Sequence, residues 1–156
     1  MRSSDEPVPM IELHRIVHAA RVYLELHWPA WHARWGPPPP ACASQWTCVR
    51  SSLFIQKSLA HANISAVIVS GVPTSRDRCG FFDGLTWNSH AWVRTNQTIV
   101  DVTADQFAAA AVIITAISDG RYREGIGTEA RLPVGTSPIR AVDAIWPTWV
   151  EVMRGI

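Results

Sequence analysis

The 156-residue sequence predicts a single α+β domain in which two helices precede an antiparallel β-sheet. Apolar residues recur at helical spacing in the first 62 residues, whereas residues 65–117 contain β-branched runs and one stretch of alternating residues. The length suits one hydrophobic core rather than two, and no internal repeat is visible. We expect residues 1–9 to form a flexible leader and residues 10–156 to form the domain.

The first predicted helix starts at Met10. In the segment MIELHRIVHAARVYLEL, Ile11, Val17 and Leu24 lie at helical spacing. Pro29 follows, and proline disrupts a helix interior because it lacks an N–H group and collides with the preceding turn. The pattern therefore predicts an amphipathic helix that ends at Pro29.

A connector and a second helix are predicted next. Residues 27–40 carry three tryptophans and then four consecutive prolines, Pro37 to Pro40, which favour an extended polyproline conformation. After them, an apolar stripe at helical spacing predicts a helix over residues 48–62, and Asn63 is a suitable C-terminal stop.

Strands are predicted in the second half of the chain. The run SAVIVSGV, residues 65–72, and the run AVIITAI, residues 111–117, are β-branched and bounded by turn residues. Residues 73–89 show no periodicity and predict a long functional loop. A short helix is expected over residues 141–154, with Pro147 at its start or at a break in it.

The segment WNSHAWVRTNQTIVDVTADQF alternates as a β-hairpin does. A turn centred on Asn96 and Gln97 sets Arg94 opposite Ile99. Because side chains alternate between faces, the hairpin then has a core face and an opposite face. The core face carries Ala91, Val93, Val100 and Val102, and the opposite face carries His90, Trp92, Asp101 and Thr103.

This register places His90 and Asp101 within side-chain reach across the two strands. An aspartate that binds one imidazole nitrogen leaves the other free to act as a base, and such a pair needs a nucleophile. Cys48 is the candidate, because it starts a predicted helix, where a thiol pKa is lowered. Gln45 could donate a further hydrogen bond to an oxyanion. Asp105 is the alternative candidate for the carboxylate that binds His90.

Ser44 and Thr47 are candidate caps of the helix that begins at Cys48. Trp87 and Trp92 flank the predicted site and are either substrate-pocket walls or core residues. Taken alone, Cys48 is typical of a small buried hydrophobic residue, and His90 is typical of a hydrogen-bonded core histidine.

The segments TCVRSSLFIQKSLAHANISAVIVSG and HAWVRTNQTIVDVTADQF, within residues 45–107, resemble the transglutaminase-like branch of the papain-like fold. This branch includes arylamine N-acetyltransferases, bacterial transglutaminase-like proteins and lasso-peptide leader peptidases. The resemblance implies a cysteine at a helix start packed on a sheet that carries histidine and aspartate. On this chain those positions are Cys48, His90 and Asp101.

The resemblance implies a catalytic triad that forms a thioester acyl-enzyme. We expect hydrolysis of a peptide or amide bond, because no second substrate site is visible. Amine acylation of the acyltransferase or transglutaminase type is an alternative. A catalytically silent protein-binding domain of the same fold is a second alternative.

Charge and cysteine content narrow the expected partners and location. The net charge of +1, without basic clusters, argues against nucleic acid and anionic membranes as partners. The odd number of cysteines, three, does not form a disulfide framework and favours the cytoplasm. Cys42 and Cys48 lack the spacing of a zinc site, and Cys79 is expected at the surface. We expect a peptide or protein substrate and no cofactor. An accessory protein is a further candidate partner.

Overall fold

The computed structural model describes residues 9–35, 39–126 and 135–156, so the predicted leader lies almost wholly outside the described residues. Within these ranges the chain has the predicted α+β class, with three α-helices and two antiparallel sheets. The helices are α1 Met10–Trp35, α2 Cys48–His61 and α3 Thr136–Arg154. The strands are β1 Val67–Gly71, β2 Gly80–Phe82, β3 Trp87–Asn88, β4 His90–Arg94, β5 Thr98–Asp101, β6 Ile113–Ala116 and β7 Tyr122–Arg123, and a 3₁₀ helix spans Ala104–Phe107.

The larger sheet has the strand order β1-β4-β5-β6, and the smaller sheet has the order β3-β2-β7. Strands β4 and β5 form the predicted hairpin, with Arg94 opposite Ile99 and Val93 opposite Val100. The turn position and the register inferred from the sequence are therefore confirmed. The run at residues 111–117 is also a strand, as predicted.

Helix α2 ends as the sequence predicts. Asn63 adopts the left-handed conformation with φ of 62°. The Asn63 N–H binds the Ala60 carbonyl and the Ile64 N–H binds the Leu59 carbonyl, which is the hydrogen-bond pattern of a Schellman motif.

Pro29 does not end α1, and this prediction was wrong. The helix continues to Trp35, with the exposed Pro29 inside it. Trp28 and Trp31, on either side of the proline, are 0% and 4% exposed. Burial of two indole rings offsets the cost of an interior proline, about 3 kcal/mol.

Pro147 is likewise accommodated, and the prediction that it starts or breaks the last helix was wrong. Helix α3 begins at Thr136 and runs through the exposed Pro147 without interruption. Ile145 and Trp149 flank the proline and are both buried in the core. Tertiary packing again decides the outcome.

The predicted loop over residues 73–89 contains two short strands, β2 and β3. Gly71 and Gly80 allow them to fit. A Cβ at Gly71 would lie 2.2 Å from the Gly80 nitrogen, and a Cβ at Gly80, where φ is +94°, would lie 2.0 Å from the Asn88 oxygen. Glycine, which suggested a loop, instead permits close backbone approach here.

Both faces of the larger sheet are buried. Ile68, Val93 and Val100 join the side chains of the three helices in one core cluster. Val69, Trp92, Ile99, Phe81 and Tyr122 belong to a second cluster, which joins the other face to the smaller sheet. The hairpin face that carries His90 therefore also borders a core. None of the helices in the described ranges is long and apolar enough to cross a bilayer.

Candidate active site

Three elements bring Cys48, His90 and Asp101 to one end of the larger sheet. Cys48 is the first residue of α2, His90 is the first of β4, and Asp101 is the last of β5. Helix α2 packs against β4, and β4 pairs with β5. Because β4 and β5 are antiparallel, the beginning of β4 and the end of β5 lie at the same end of the sheet.

His90 and Asp101 form the contact that the sequence predicts. The Nε2 atom of His90 lies 2.8 Å from Oδ2 of Asp101, and their side chains are 0% and 1% exposed. The other ring nitrogen of His90, Nδ1, is buried and has no hydrogen-bond partner among the described residues. Since the carboxylate occupies Nε2, Nδ1 is the nitrogen left for proton exchange.

The carboxylate of Asp101 accepts further hydrogen bonds. The Tyr122 hydroxyl donates to Oδ2 at 2.8 Å, and the Thr103 N–H donates to Oδ1 at 2.9 Å. The Thr103 hydroxyl lies 3.3 Å from Oδ1, so the Asp-x-Thr sequence closes a local turn around the carboxylate. Burial raises the pKa of Asp101, but the charge of His90 and these donors outweigh burial and hold that pKa below its ordinary value.

His90 favours its protonated form. Burial acts to lower the pKa of His90, yet the Asp101 carboxylate and Cys48 raise that pKa to about 10. A histidine with such a pKa is an imidazolium at neutral pH. It then carries a proton on both nitrogens, with the Nε2 proton held by Asp101.

The surroundings of Cys48 lower the pKa of its thiol. Burial raises the pKa of its thiol and the Asp101 charge acts in the same direction, whereas the His90 side chain and the Ala91 N–H lower it. The lowering effects prevail, so the pKa of Cys48 lies below its ordinary value. The residue as a whole is partly exposed, although burial is the largest influence on its thiol.

The segment before Cys48 is held by a chain of hydrogen bonds. The indole N–H of Trp28 donates to Ser51 Oγ, Ser51 donates to Thr47 Oγ1, and Thr47 donates to the Ser44 carbonyl. Neither Ser44 nor Thr47 caps α2 through its side chain, contrary to the prediction. The first amide groups of α2 are therefore free of a side-chain cap beside the Cys48 sulfur.

Trp46 has an uncommon backbone conformation two residues before Cys48. Its φ is 65°, in the left-handed region, although it is not glycine. Such strain costs about 1–3 kcal/mol and clusters at functional sites. The ring is 42% exposed and lies edge-on to His32, 6.3 Å away.

Asp105 does not compete for His90. Its Oδ2 accepts a hydrogen bond from Arg21 at 2.8 Å, and its Oδ1 accepts one from Ser44. Arg21 is 9% exposed and also donates to the Val102 carbonyl at 2.8 Å. The buried Arg21 and the partly buried Asp105 thus tie α1 to the segment before Cys48 and to the end of β5. Asp101 is the carboxylate that contacts His90.

The remaining predicted residues surround the site in different ways. Gln45 Oε1 accepts the Ala41 N–H at 2.7 Å, so its amide stabilises the turn before α2, and its oxyanion role stays a prediction. Trp92 is 1% exposed and stacks on His90 with 6.0 Å between ring centroids. Trp92 therefore supports the imidazole from the core, whereas the partly exposed Trp87 packs on Phe82.

The other two thiols are distinct in their environments. All three cysteines are free, and Cys79 is 0% exposed, so its predicted surface position was wrong. Cys42 is partly buried, and its sulfur lies 3.4 Å from Ser44 Oγ. In the described parts of the chain no cluster of histidine, cysteine or acidic residues is arranged for a metal ion.

Tyr122 and Arg21 have no distinguishing sequence signal. Tyr122 lies in the two-residue strand β7, and Arg21 reads as part of the polar pattern of an amphipathic helix. Thr103 carried a signal, because threonine two residues after aspartate is a common local turn.

Comparison with protein-family models, curated proteins and solved structures gave no significant match. The molecule is an α+β protein with a partly buried cysteine beside a buried histidine–aspartate pair. Its function is therefore argued from the geometry and electrostatics of this site.

Proposed function

We propose that the chain is a cysteine hydrolase that cleaves a peptide or amide bond through a thioester acyl-enzyme. Cys48 is the nucleophile, His90 the general acid and base, and Asp101 the residue that orients His90. The observation that carries this proposal is the His90–Asp101 pair, whose free Nδ1 lies in a site that lowers the pKa of Cys48. Perturbed pKa values of this kind cluster at functional sites.

In the acylation step the Cys48 thiolate attacks the carbonyl carbon of the substrate, and the C–S bond forms as the carbonyl π electrons move to oxygen. The intermediate then re-forms the carbonyl and expels the amine. Its nitrogen takes the proton from Nδ1 of the His90 imidazolium, which becomes neutral. The products of this half-reaction are a free amine and a thioester on Cys48.

Deacylation returns the site to its first state. Neutral His90 accepts a proton at Nδ1 from a water molecule as the water oxygen attacks the thioester carbonyl. The C–S bond breaks, the carboxylic acid leaves, and Cys48 is again a thiolate beside an imidazolium. Asp101 holds Nε2–H throughout and stabilises the positive charge of His90.

The negative oxygen of the tetrahedral intermediate needs donors. The first amide groups of α2 carry no side-chain cap, and a helix N-terminus favours negative charge. Because Cys48 is the first residue of the helix, an oxygen on the carbon bonded to its sulfur lies next to those groups. Gln45 is a second candidate donor through its side-chain NH₂ group.

The first test is the pH dependence of iodoacetamide alkylation, followed by mass spectrometry of each cysteine. Near pH 6 we expect Cys48 to be alkylated faster than the other two cysteines. This difference in rate should disappear in His90→Ala. Cys42, which is also partly buried, is the internal control, and buried Cys79 should react only on unfolding. If Cys48 is no more reactive than Cys42, the site is dormant and the hydrolase proposal fails.

A second test addresses the acyl-enzyme. Wild type treated with p-nitrophenyl acetate should release p-nitrophenol and gain one acetyl group on Cys48 that hydroxylamine removes. The Cys48→Ser variant has an oxygen nucleophile in the same position. It should be acetylated far more slowly than the wild type. Acetylation of Lys57, the one lysine of the sequence, instead of Cys48 would argue against the proposal.

A further inference from the structure

A groove of about 450 Å³ lies between the last turns of α1 and the first turns of α3. The rings of Trp31 and Trp35 line its α1 side, and Ala141 and Ala144 line its α3 side. These four residues give the groove an apolar interior. It is large enough to hold two or three side chains of an extended peptide.

The charged residues of the groove are all cations. Arg34 and Arg140 line it and are exposed, and no ion pair involves either of them within residues 9–35, 39–126 and 135–156. Among the described residues that line the groove there is no aspartate or glutamate. Thr136 and Ser137, the first two residues of α3, also line the groove, and α3 has no side-chain cap. Unpaired arginines are suited to bind carboxylates with two parallel hydrogen bonds.

Arg50 connects the groove with the catalytic cysteine. It lies two residues after Cys48, and its guanidinium carbon is 5.5 Å from the Trp31 ring and 5.1 Å from the Trp35 ring. Its Nε atom is buried without a hydrogen-bond partner among the described residues. Burial lowers the pKa of Arg50, and the negative charge of Cys48 acts to raise it. Trp31 and Trp35 therefore contact Arg50 and also line the groove. The Arg34 guanidinium carbon lies 4.8 Å from the centre of the Trp35 ring, so this arginine is held beside the apolar interior.

We propose that this groove binds a segment of the substrate, next to the scissile bond, that carries acidic side chains around an apolar one. The carboxylates pair with Arg34 and Arg140, and the apolar side chain lies against Trp31 and Trp35. This inference rests on the proposed function, because it names the substrate class of the same enzyme. It follows from charge complementarity and from Arg50, which comes two residues after Cys48 in α2 and contacts the two tryptophans that line the groove.

The test measures binding without catalysis, in full-length Cys48→Ala protein. The probe is a fluorescein-labelled peptide, Ser-Glu-Leu-Gly-Glu-Phe-Ser-Gly, whose binding is followed by fluorescence anisotropy. One matched peptide has glutamine in place of both glutamates, and another has lysine. We expect the acidic peptide to bind at least tenfold tighter than the glutamine peptide, and the difference to shrink as salt is raised.

The decisive variant is Arg34→Gln/Arg140→Gln in the same background, which should abolish the preference for the acidic peptide. The matched control is Arg15→Gln/Arg76→Gln, which removes the same charge from exposed positions. Arg15 lies 19 helical residues before Arg34, about 28 Å along α1. The control should keep the preference, and circular dichroism should show that both double variants are folded.

Equal binding of the three peptides, no binding of any, or equal losses in both double variants would each overturn the inference. The alkylation test of Cys48 stands apart from this result. A reactive Cys48 with no peptide preference removes the groove proposal alone, whereas a clear preference with an inert Cys48 removes the hydrolase and leaves a peptide-binding protein.

Discussion

The Tyr122 hydroxyl and the His90 Nε2 atom meet on the same oxygen of Asp101, each at 2.8 Å. Tyr122 is 7% exposed, and burial together with the Asp101 charge raises the pKa of its hydroxyl, so this group stays protonated and donates. Tyr122 therefore orients the Asp101 carboxylate, which in turn orients the His90 ring. We infer that Tyr122 is a positioning residue for the proposed chemistry.

Tyr122→Phe should lower both stability and thiol reactivity. The buried carboxylate loses one of its donors, which should reduce the free energy of unfolding by about 1–3 kcal/mol in urea titrations. Alkylation of Cys48 near pH 6 should slow by less than in His90→Ala, because His90 and Thr103 still hold Asp101.

Tyr23→Phe is the matched control for this variant. The Tyr23 hydroxyl is also buried and donates to the Ile145 carbonyl at 2.6 Å, away from the thiol. This control should lose a similar free energy of unfolding and keep the alkylation profile of Cys48. If both variants keep that profile, Tyr122 has only a structural role.

Asp101→Asn should shift the pH dependence of Cys48 alkylation upward. The raised pKa of His90 depends on the Asp101 charge, so in the variant the imidazole loses its proton at lower pH. Without the imidazolium the thiol keeps its proton to higher pH, and the reactivity near pH 6 is lost. The midpoint of the alkylation rate against pH is the quantity to measure.

Asp105→Asn is the corresponding control. It removes one negative charge from the ion pair between Asp105 and the buried Arg21. Unlike Asp101, Asp105 does not contact His90. The substitution should destabilise the protein by about 1–3 kcal/mol, because Arg21 loses one carboxylate but keeps its ion pair with Glu25, and it should leave the alkylation midpoint in place. A shift of equal size in both variants would mean that fold disruption, and not the His90 charge, controls the thiol.

Local patterns in the sequence were sufficient for the elements that position the site. The apolar runs on both sides of the turn at Asn96 and Gln97 were sufficient to predict the hairpin register, and that register brings His90 and Asp101 within reach. The α2 boundaries followed from a helical stripe and an asparagine stop. These features depend on neighbours in sequence, and a single chain contains that information.

Features that depend on distant packing could not be predicted. Pro29 and Pro147 lie inside helices because the tryptophans beside them are buried by other elements. Tyr122 reaches Asp101 from a strand of the other sheet, and Arg21 meets Asp105 across 84 residues of sequence. No local period marks such contacts.

Stability should fall with rising pH between about 6.5 and 10 because of His90. Its folded pKa, about 10, lies above the unfolded value near 6.5, so its contribution is full below about pH 6.5 and is lost as pH rises through 10. The free energy of unfolding should fall by at most about 1.4 kcal/mol per pH unit in that window. Asp101, whose folded pKa is lowered, contributes above its unfolded pKa and loses its effect as acid protonates it.

The measurement is urea unfolding at several pH values in Cys48→Ala, which removes the titrating thiol. Because Cys48 contributes to the raised pKa of His90, the fall in stability should end below pH 10 in this variant. The comparison is Cys48→Ala/His90→Gln, which should be less stable throughout and should lose less stability between pH 7 and 10, where Cys79 and Tyr122, whose pKa values burial raises, still contribute. Parallel slopes in the two proteins would show that His90 has an ordinary pKa.

Gly71→Ala tests the backbone contact that joins the two sheets behind His90. Gly71 pairs with His90 across β1 and β4, and a methyl group there would lie 2.2 Å from the Gly80 nitrogen and 2.7 Å from the Arg123 oxygen. Both neighbours are backbone atoms that cannot rotate away. Strand β7, which carries Tyr122, must therefore shift, and the free energy of unfolding should fall by about 1–3 kcal/mol.

Gly120→Ala is the control, because a methyl group there meets nothing within 4 Å. It should change the free energy of unfolding by no more than about 0.5 kcal/mol. Since the shift in Gly71→Ala moves Tyr122 relative to Asp101, the same variant should also slow Cys48 alkylation near pH 6. Loss of stability with unchanged alkylation would show that the site tolerates movement between the sheets, and that β7 is not needed to orient Asp101.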